Sequence, residues 1–148
     1  MKPINETLLS AWLRVSTSII NTRVVRELPY NEALVCNVLY ENSCRKNSHP
    51  LTATDLCNKT NMLKSQMNRT LNLLESKGII SRHRSETDKR QVFIMFDMET
   101  AGPYQTQHER ILQLLDEIVS RLGEDKTNEV IETLNDVADI ANDIINEK

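Results

Sequence analysis

Gly78-Ile79-Ile80-Ser81-Arg82-His83-Arg84-Ser85-Glu86-Thr87-Asp88-Lys89-Arg90-Gln91-Val92-Phe93-Ile94 is the stretch that decides the fold. Gly78 punctuates a helix that runs from about Leu63 to Lys77, because glycine accepts the left-handed backbone that ends helices. Ile79–Arg84 then reads as a strand and Ser85-Glu86-Thr87-Asp88-Lys89 as a short polar tip, with Arg82, Arg84 and Arg90 flanking it. Arg90–Phe96 reads as the return strand. Val92, Ile94 and Phe96 alternate with Gln91, Phe93 and Met95, so that strand has one core-like face.

The rest of the chain is helical in pattern. Ile4, Leu8, Trp12, Val15, Ile19 and Val24 recur at helical spacing and predict a first helix from Asn5 to Arg26. Leu28-Pro29-Tyr30-Asn31-Glu32 is a break and restart, and a second helix is expected over Asn31–Asn42, with Leu34, Val35, Val38 and Leu39 apolar. Ser43 to His49 is loop-like, and His49-Pro50-Leu51 fits a short edge strand. Thr52 is placed to cap a short third helix, with Asp55 in its first turn and its end between Lys59 and Asn61. Gly102-Pro103 marks the next boundary. Ile111, Leu114, Leu115, Ile118, Val119 and Leu122 form an amphipathic helix ending at Gly123, and Val130 to Ile145 form another. These outer helices are too apolar for one small module to cover, so a homodimer built from the first helix and the last two is expected.

The chain has 148 residues, 39% of them hydrophobic, enough for one compact domain. It has no run of 18 apolar residues, so no membrane partner is expected. Met1–Glu6 lacks the charged and apolar regions of a secretory leader, so a cytoplasmic protein is expected. Cys36, Cys44 and Cys57 are odd in number and lack CxxC spacing, which fits reduced thiols. The overall charge of −3 hides an asymmetry. Residues 1–58 carry six Lys/Arg against five Asp/Glu, a net +1; residues 59–95 carry eight against three, +5; residues 96–148 carry four against thirteen, −9. One basic block in an acidic chain marks a localised footprint for a polyanion. Scarce aromatics, 4% of the chain, argue against stacking platforms for single strands.

On the helix before Gly78, Met67 centres a buried side shared with Leu63, Leu71 and Leu74. Ser65, Arg69, Asn72 and Ser76 point the opposite way, flanked by Gln66 and Asn68, with Lys64 to one side. An ordinary solvent face would carry more Glu and Lys. Asn and Gln pair with adenine edges and Arg with guanine edges in a major groove. Leu73 falls on the exposed side, placed either to meet a thymine methyl or to rest against the hairpin. The hairpin cations Arg84, Lys89 and Arg90 suit phosphates or a minor groove. Asp88 would repel phosphate and is expected to hold a wing arginine in shape.

The block from Leu51 to Gly102 resembles the MarR family of bacterial transcriptional regulators. The resemblance rests on Leu51-Thr52-Ala53-Thr54-Asp55-Leu56, on Leu74-Glu75-Ser76-Lys77-Gly78-Ile79-Ile80-Ser81-Arg82 and on Asp88-Lys89-Arg90. It implies a mainly α fold with a small β-wing: a winged helix-turn-helix region over 29–102 within a single domain of 1–148, with dimerisation helices over 1–28 and 103–148. It implies a homodimer on a pseudo-palindromic operator in double-stranded DNA, helix contacts from Ser65, Gln66, Asn68 and Arg69, a minor-groove role for Arg90, and a structural role for Asp88. The chain departs from the family in having Asn68 where Thr is usual, Leu73 where a polar residue is usual, no Gly and Ser/Thr cap in Asn61-Met62-Leu63-Lys64, and a late wing closure at Met98–Gly102.

The expected DNA-binding set is therefore Lys64, Ser65, Gln66, Asn68, Arg69, Asn72, Arg84, Lys89 and Arg90, with Asp88 and Arg82 shaping the wing. The output expected of such families is repression, relieved by a small-molecule effector or an oxidant; the residues do not mark a ligand site. Cys36 and Cys57 read as structural thiols. Cys44, read as lying in a polar loop beside Arg45 and Lys46, is the redox candidate. His49, His83 and His108 are scattered and imply no metal site, and no cofactor or enzyme motif is present. The rival is a winged-helix module for protein interaction, with the basic block as its docking surface.

Overall fold

A computed structural model describes residues 3–20, 27–97 and 99–148. Its elements are α1 (Ile4–Ile20), α2 (Tyr30–Cys44), β1 (Leu51–Thr52), α3 (Ala53–Thr60), α4 (Lys64–Ser76), β2 (Ile80–Arg84), β3 (Val92–Phe96), α5 (Gly102–Leu122) and α6 (Glu124–Asn146). The three strands form an antiparallel sheet of order β1-β3-β2. This is a mainly α winged helix-turn-helix fold. Contacts group it into two compact units, Met1–Arg110 and Ile111–Lys148.

Local chemistry explains the first unit's boundaries. Thr52 Oγ1 accepts from the Asp55 N–H at 3.2 Å while Asp55 Oδ2 accepts from the Thr52 N–H at 2.9 Å, which satisfies two otherwise orphaned donors at the start of α3. At the end of α4 the Ile79 N–H reaches the Leu74 carbonyl at 3.0 Å and the Gly78 N–H reaches that of Glu75 at 3.0 Å. Gly78 has φ +75°, so this Schellman ending needs a residue without a Cβ clash. β2 and β3 pair with Arg82 opposite Ile94, and β1 adds Leu51 on the other side of Ile94. Ile94 is buried, Val92, Phe93 and Phe96 are half-buried, and Met95 is exposed.

The core joins Val35, Cys36 and Leu39 of α2, Leu56 of α3, Met67, Leu71 and Leu74 of α4, Ile79, Ile80 and Ile94 of the sheet region, and Tyr104 of α5. Each fully buried aliphatic side chain contributes about 1.5–3 kcal/mol. Leu63 corrects the expectation that it shares the buried side of α4. It is 67% exposed because it is the N-cap, with φ −68° and ψ 150°, outside the helical wheel. The edge strand lies at Leu51–Thr52, two residues beyond its expected start. Helix α5 begins at Gly102, nine residues before the first of the apolar residues that announce it. For α1 the expected span over 21–26 lies outside the described residues, as does Met98 of the wing closure.

In the second unit, α6 has no buried residue. Val130, Ile131, Leu134, Val137, Ile140, Ile144 and Ile145 are all exposed on it, and Leu112, Leu115, Ile118, Val119 and Leu122 are exposed on α5. On α1, Ile4, Leu8, Leu9, Trp12, Leu13 and Val15 are exposed as well. Among the described residues no helix is long and apolar enough to cross a membrane.

Candidate nucleic-acid interface

Helix α4 separates its faces as its periodicity demands. Met67, Thr70, Leu71 and Leu74 are buried, while Lys64, Ser65, Gln66, Asn68, Arg69 and Asn72 are exposed. Thr70 tolerates burial because its hydroxyl donates to the Gln66 carbonyl at 2.8 Å. Leu73 is 44% exposed. The start of α4 has no capping side chain at Leu63. Gln66, three residues on, supplies the reciprocal half of a cap alone: its Oε1 accepts the Leu63 N–H at 3.1 Å.

The wing tip is held by its own small polar groups. The Ser85 N–H bonds the Gln91 carbonyl at 2.9 Å, and Ser85 Oγ accepts from the Asp88 N–H at 3.2 Å. Asp88 Oδ1 accepts the Arg90 N–H at 3.0 Å, and its carbonyl accepts the Gln91 N–H at 3.0 Å. Asp88 thus holds Arg90 of the wing through its backbone N–H, as short Asx side chains do in turns. Arg84 Nη1 donates to the Lys89 carbonyl at 2.6 Å. Arg82 leaves the wing to meet α4: its Nη1 donates to Asn72 Oδ1 at 2.9 Å and lies 3.5 Å from Glu75 Oε1.

The expected site residues therefore divide in two. Gln66, Asn72, Arg82, Arg84 and Asp88 spend side-chain atoms on the frame. The side chains of Lys64, Ser65, Asn68, Arg69, Lys89 and Arg90 make no hydrogen bond or ion pair among the described residues. Lys77 and Arg110 are paired with carboxylates, but Lys64, Arg69, Arg84, Lys89 and Arg90 have no acidic partner within 4.0 Å among the described residues. Unpaired cations on two adjoining elements form a surface suited to a polyanion.

Several structural residues escaped the sequence. Glu32 of α2 is buried and receives Lys77 Nζ at 2.6 Å. Glu27 meets Arg110 at 2.8 Å. Gln107 Oε1 accepts the Leu28 N–H at 2.9 Å, and its buried Nε2 has no partner among the described residues. Tyr104 donates to Asn37 Oδ1 at 3.2 Å and packs with Phe96, Tyr40 and His108. Burial raises the Tyr104 hydroxyl pKa.

Burial, reinforced by Glu32, pushes the Cys36 thiol up to about 12, so it stays protonated. Cys57 is half-buried. Cys44 is exposed and is the last residue of α2, not part of the following loop as expected, because the helix runs two residues further. Its bond to Tyr40 raises that phenol's pKa. Among the described residues no group of three His, Cys, Asp or Glu could hold a metal.

Residues 45–91 match the model of the MarR family. A comparison with curated proteins finds no match. Several solved structures are similar. The Staphylococcus aureus MepR–DNA complex aligns with TM-score 0.70 at 13% identity, over 95% of this chain and 99% of that one. Streptococcus pneumoniae FabT in complex with DNA gives TM-score 0.67 at 19% identity, over 95% and 96%. NadR in complex with 4-hydroxyphenylacetate gives 0.66 at 24%, over 93% and 94%. At these identities the likeness is one of fold.

Proposed function

We propose that this protein, whose residues 45–91 match the model of the MarR family, is a sequence-specific DNA-binding transcriptional regulator. The observation that carries the reading is the set of five cations without acidic partners among the described residues on α4 and the wing, two elements tied by Arg82. In this reading Lys64, Ser65, Asn68 and Arg69 face base edges and phosphates from α4, and Lys89 and Arg90 contact phosphates or a minor groove from the wing. Gln66 and Asn72 contribute through their amide nitrogens, and Arg84, Asp88 and Arg82 hold the geometry. Two fold relatives, MepR and FabT, were solved with DNA, which supports the same partner here.

The exposed apolar faces of α1, α5 and α6 support a homodimer, since large exposed apolar faces mark interfaces. A two-fold dimer reads a pseudo-palindrome with half-sites about one duplex turn apart. Its output is repression by occupying the operator, in a cytoplasmic setting. The release signal is a small ligand, as the NadR complex suggests by analogy, or an oxidant acting at Cys44. Peroxide that leaves operator affinity unchanged in wild type and Cys44→Ser alike eliminates the oxidant.

Competition binding tests the whole reading. Selected duplex outcompetes random duplex, and affinity falls steeply as salt rises. If no duplex is preferred over random DNA, the regulator reading fails and the rival docking module stands.

A further inference from the structure

Two hydrogen bonds fix the polarity of the reading head. Gln66 Oε1 accepts from the Leu63 N–H at 3.1 Å, and Asn72 Oδ1 accepts from Arg82 Nη1 at 2.9 Å. A backbone N–H and a guanidinium can only donate, so in both pairs the partner atom must be the amide oxygen. The carboxamide is planar, and its oxygen and nitrogen diverge. With the oxygen turned back to the protein and one of its two lone pairs taken, the NH2 is the end turned out to a ligand, and it accepts nothing. Reading adenine with an amide requires both ends at one base edge: the nitrogen donating to N7 and the oxygen accepting from the N6 amino group. With one lone pair of the oxygen taken and the oxygen turned toward the protein, Gln66 and Asn72 present the nitrogen in preference to both ends. Guanine shows two acceptors in the major groove, O6 and N7, and thymine shows O4; adenine also shows N7, but beside it stands the N6 amino group, a donor that a second amide N–H cannot meet.

Asn68 is the internal contrast. It sits exposed on the same helix and its amide has no partner among the described residues, so both of its ends are available. Glu75, 3.5 Å from Arg82, anchors the guanidinium that holds Asn72.

We propose that Arg82 is a specificity-determining residue: by holding the Asn72 carbonyl it makes Asn72 a donor-only reader that selects guanine or thymine over adenine, as the Leu63 N–H does for Gln66. This rests on the DNA-reading function proposed above. It reverses the adenine preference expected of bare Asn and Gln side chains.

The experiment selects duplexes from a randomised pool with the full-length protein, then repeats the selection with Asn72→Ala, Arg82→Met and Arg82→Lys. The position whose preference relaxes in Asn72→Ala is expected to be guanine or thymine. Removing the acceptor there (2-aminopurine or 7-deazaguanine for guanine, 4-thiothymine for thymine) weakens wild-type binding about fivefold or more and leaves Asn72→Ala unaffected. Arg82→Met, which frees the carbonyl, shifts that position toward adenine, while Arg82→Lys, which still donates, does not. An adenine at that position whose 6-amino group is needed overturns the inference, as does an Asn72→Ala protein with unaltered preferences. If Arg82→Met does not fold, the base analogues on wild type still decide. Enrichment of no duplex at all defeats the DNA-reading function itself, a result distinct from enrichment of the wrong base.

Discussion

Glu32 of α2 is only 3% exposed, and its carboxylate meets Lys77 Nζ at the end of α4 at 2.6 Å. The pair pins the C-terminal end of α4 to the helix behind it. A buried carboxylate without a partner is costly, because nothing replaces its lost hydration. Lys77 is 38% exposed, so water shares in the pairing. Lys77→Met is therefore expected to destabilise the fold by about 1–3 kcal/mol, at the lower end for broken buried pairs. Adding Glu32→Gln should recover part of that loss. Urea denaturation of the two variants measures it, and equal stability of Lys77→Met and wild type would show that the pair holds nothing.

Cys36 gives the stability a pH dependence in the alkaline range. Its thiol is raised to about 12 in the fold by burial first and Glu32 second. In the unfolded chain a thiol ionises near its ordinary value of about 8.5. Between these values the unfolded state has lost a proton that the folded state keeps, so stability is full below the lower value and falls as pH rises toward the upper. The slope approaches about 1.4 kcal/mol per pH unit for this one group. Cys36→Ala starts less stable but should lose that share of the slope. Tyr104 is also raised, by burial first and by Cys36 second, so the difference between the two proteins reads Cys36 together with its effect on Tyr104.

Short-range chemistry was legible in the sequence and long-range polar pairing was not. The capping of α3 by Thr52, the Gly78 stop and the buried Met67, Leu71 and Leu74 follow from residue type and spacing within one or two turns. Gln66 could have been recognised as the second half of a capping box, since Gln at the third helical position is its signature, but no Ser or Thr stood at Leu63 to complete it. The start of α5 was hidden because Pro103 to Arg110 carries a single large apolar residue, Tyr104. Glu27 with Arg110 and Glu32 with Lys77 join residues far apart in the chain, so neither pairing leaves a local pattern. The exposed face of α4 was legible as a face; the engagement of Asn72 on it depended on the wing folding back.

Arg90 stands at the wing with its N–H committed to Asp88 and its guanidinium free of partners among the described residues. A contact to phosphate carries little sequence information. Arg90→Ala should weaken specific and random duplex by similar factors and lower the dependence of log affinity on log salt by about one. Titrations at several salt concentrations read both quantities. A loss confined to the preferred duplex would move Arg90 from phosphate to base.

Arg69 is the converse case, a guanidinium on the outer face of α4 without a partner among the described residues. A bidentate contact to guanine discriminates by about 1–3 kcal/mol. Arg69→Ala should cost that much on the preferred duplex, much less on random DNA, and relax preference at one position in each half-site. Parallel loss on both duplexes would instead make it a phosphate contact.

Leu134 and Ile140 are exposed on α6, a helix with no buried residue, so water now covers surface that association would bury. A carboxylate placed in such an interface must be desolvated without a partner, and two-fold symmetry places the same charge in both subunits. Leu134→Asp with Ile140→Asp is therefore expected to give monomers by sedimentation, with the circular dichroism of α2 to β3 retained in the first compact unit. Each monomer keeps one reading head, so binding to a single half-site should survive while the gain from linking two heads is lost. That gain can exceed about a hundredfold when the spacing of the sites matches the dimer. A double variant that remains dimeric, or one that binds the full operator as tightly as wild type, would mean that α6 does not join the subunits.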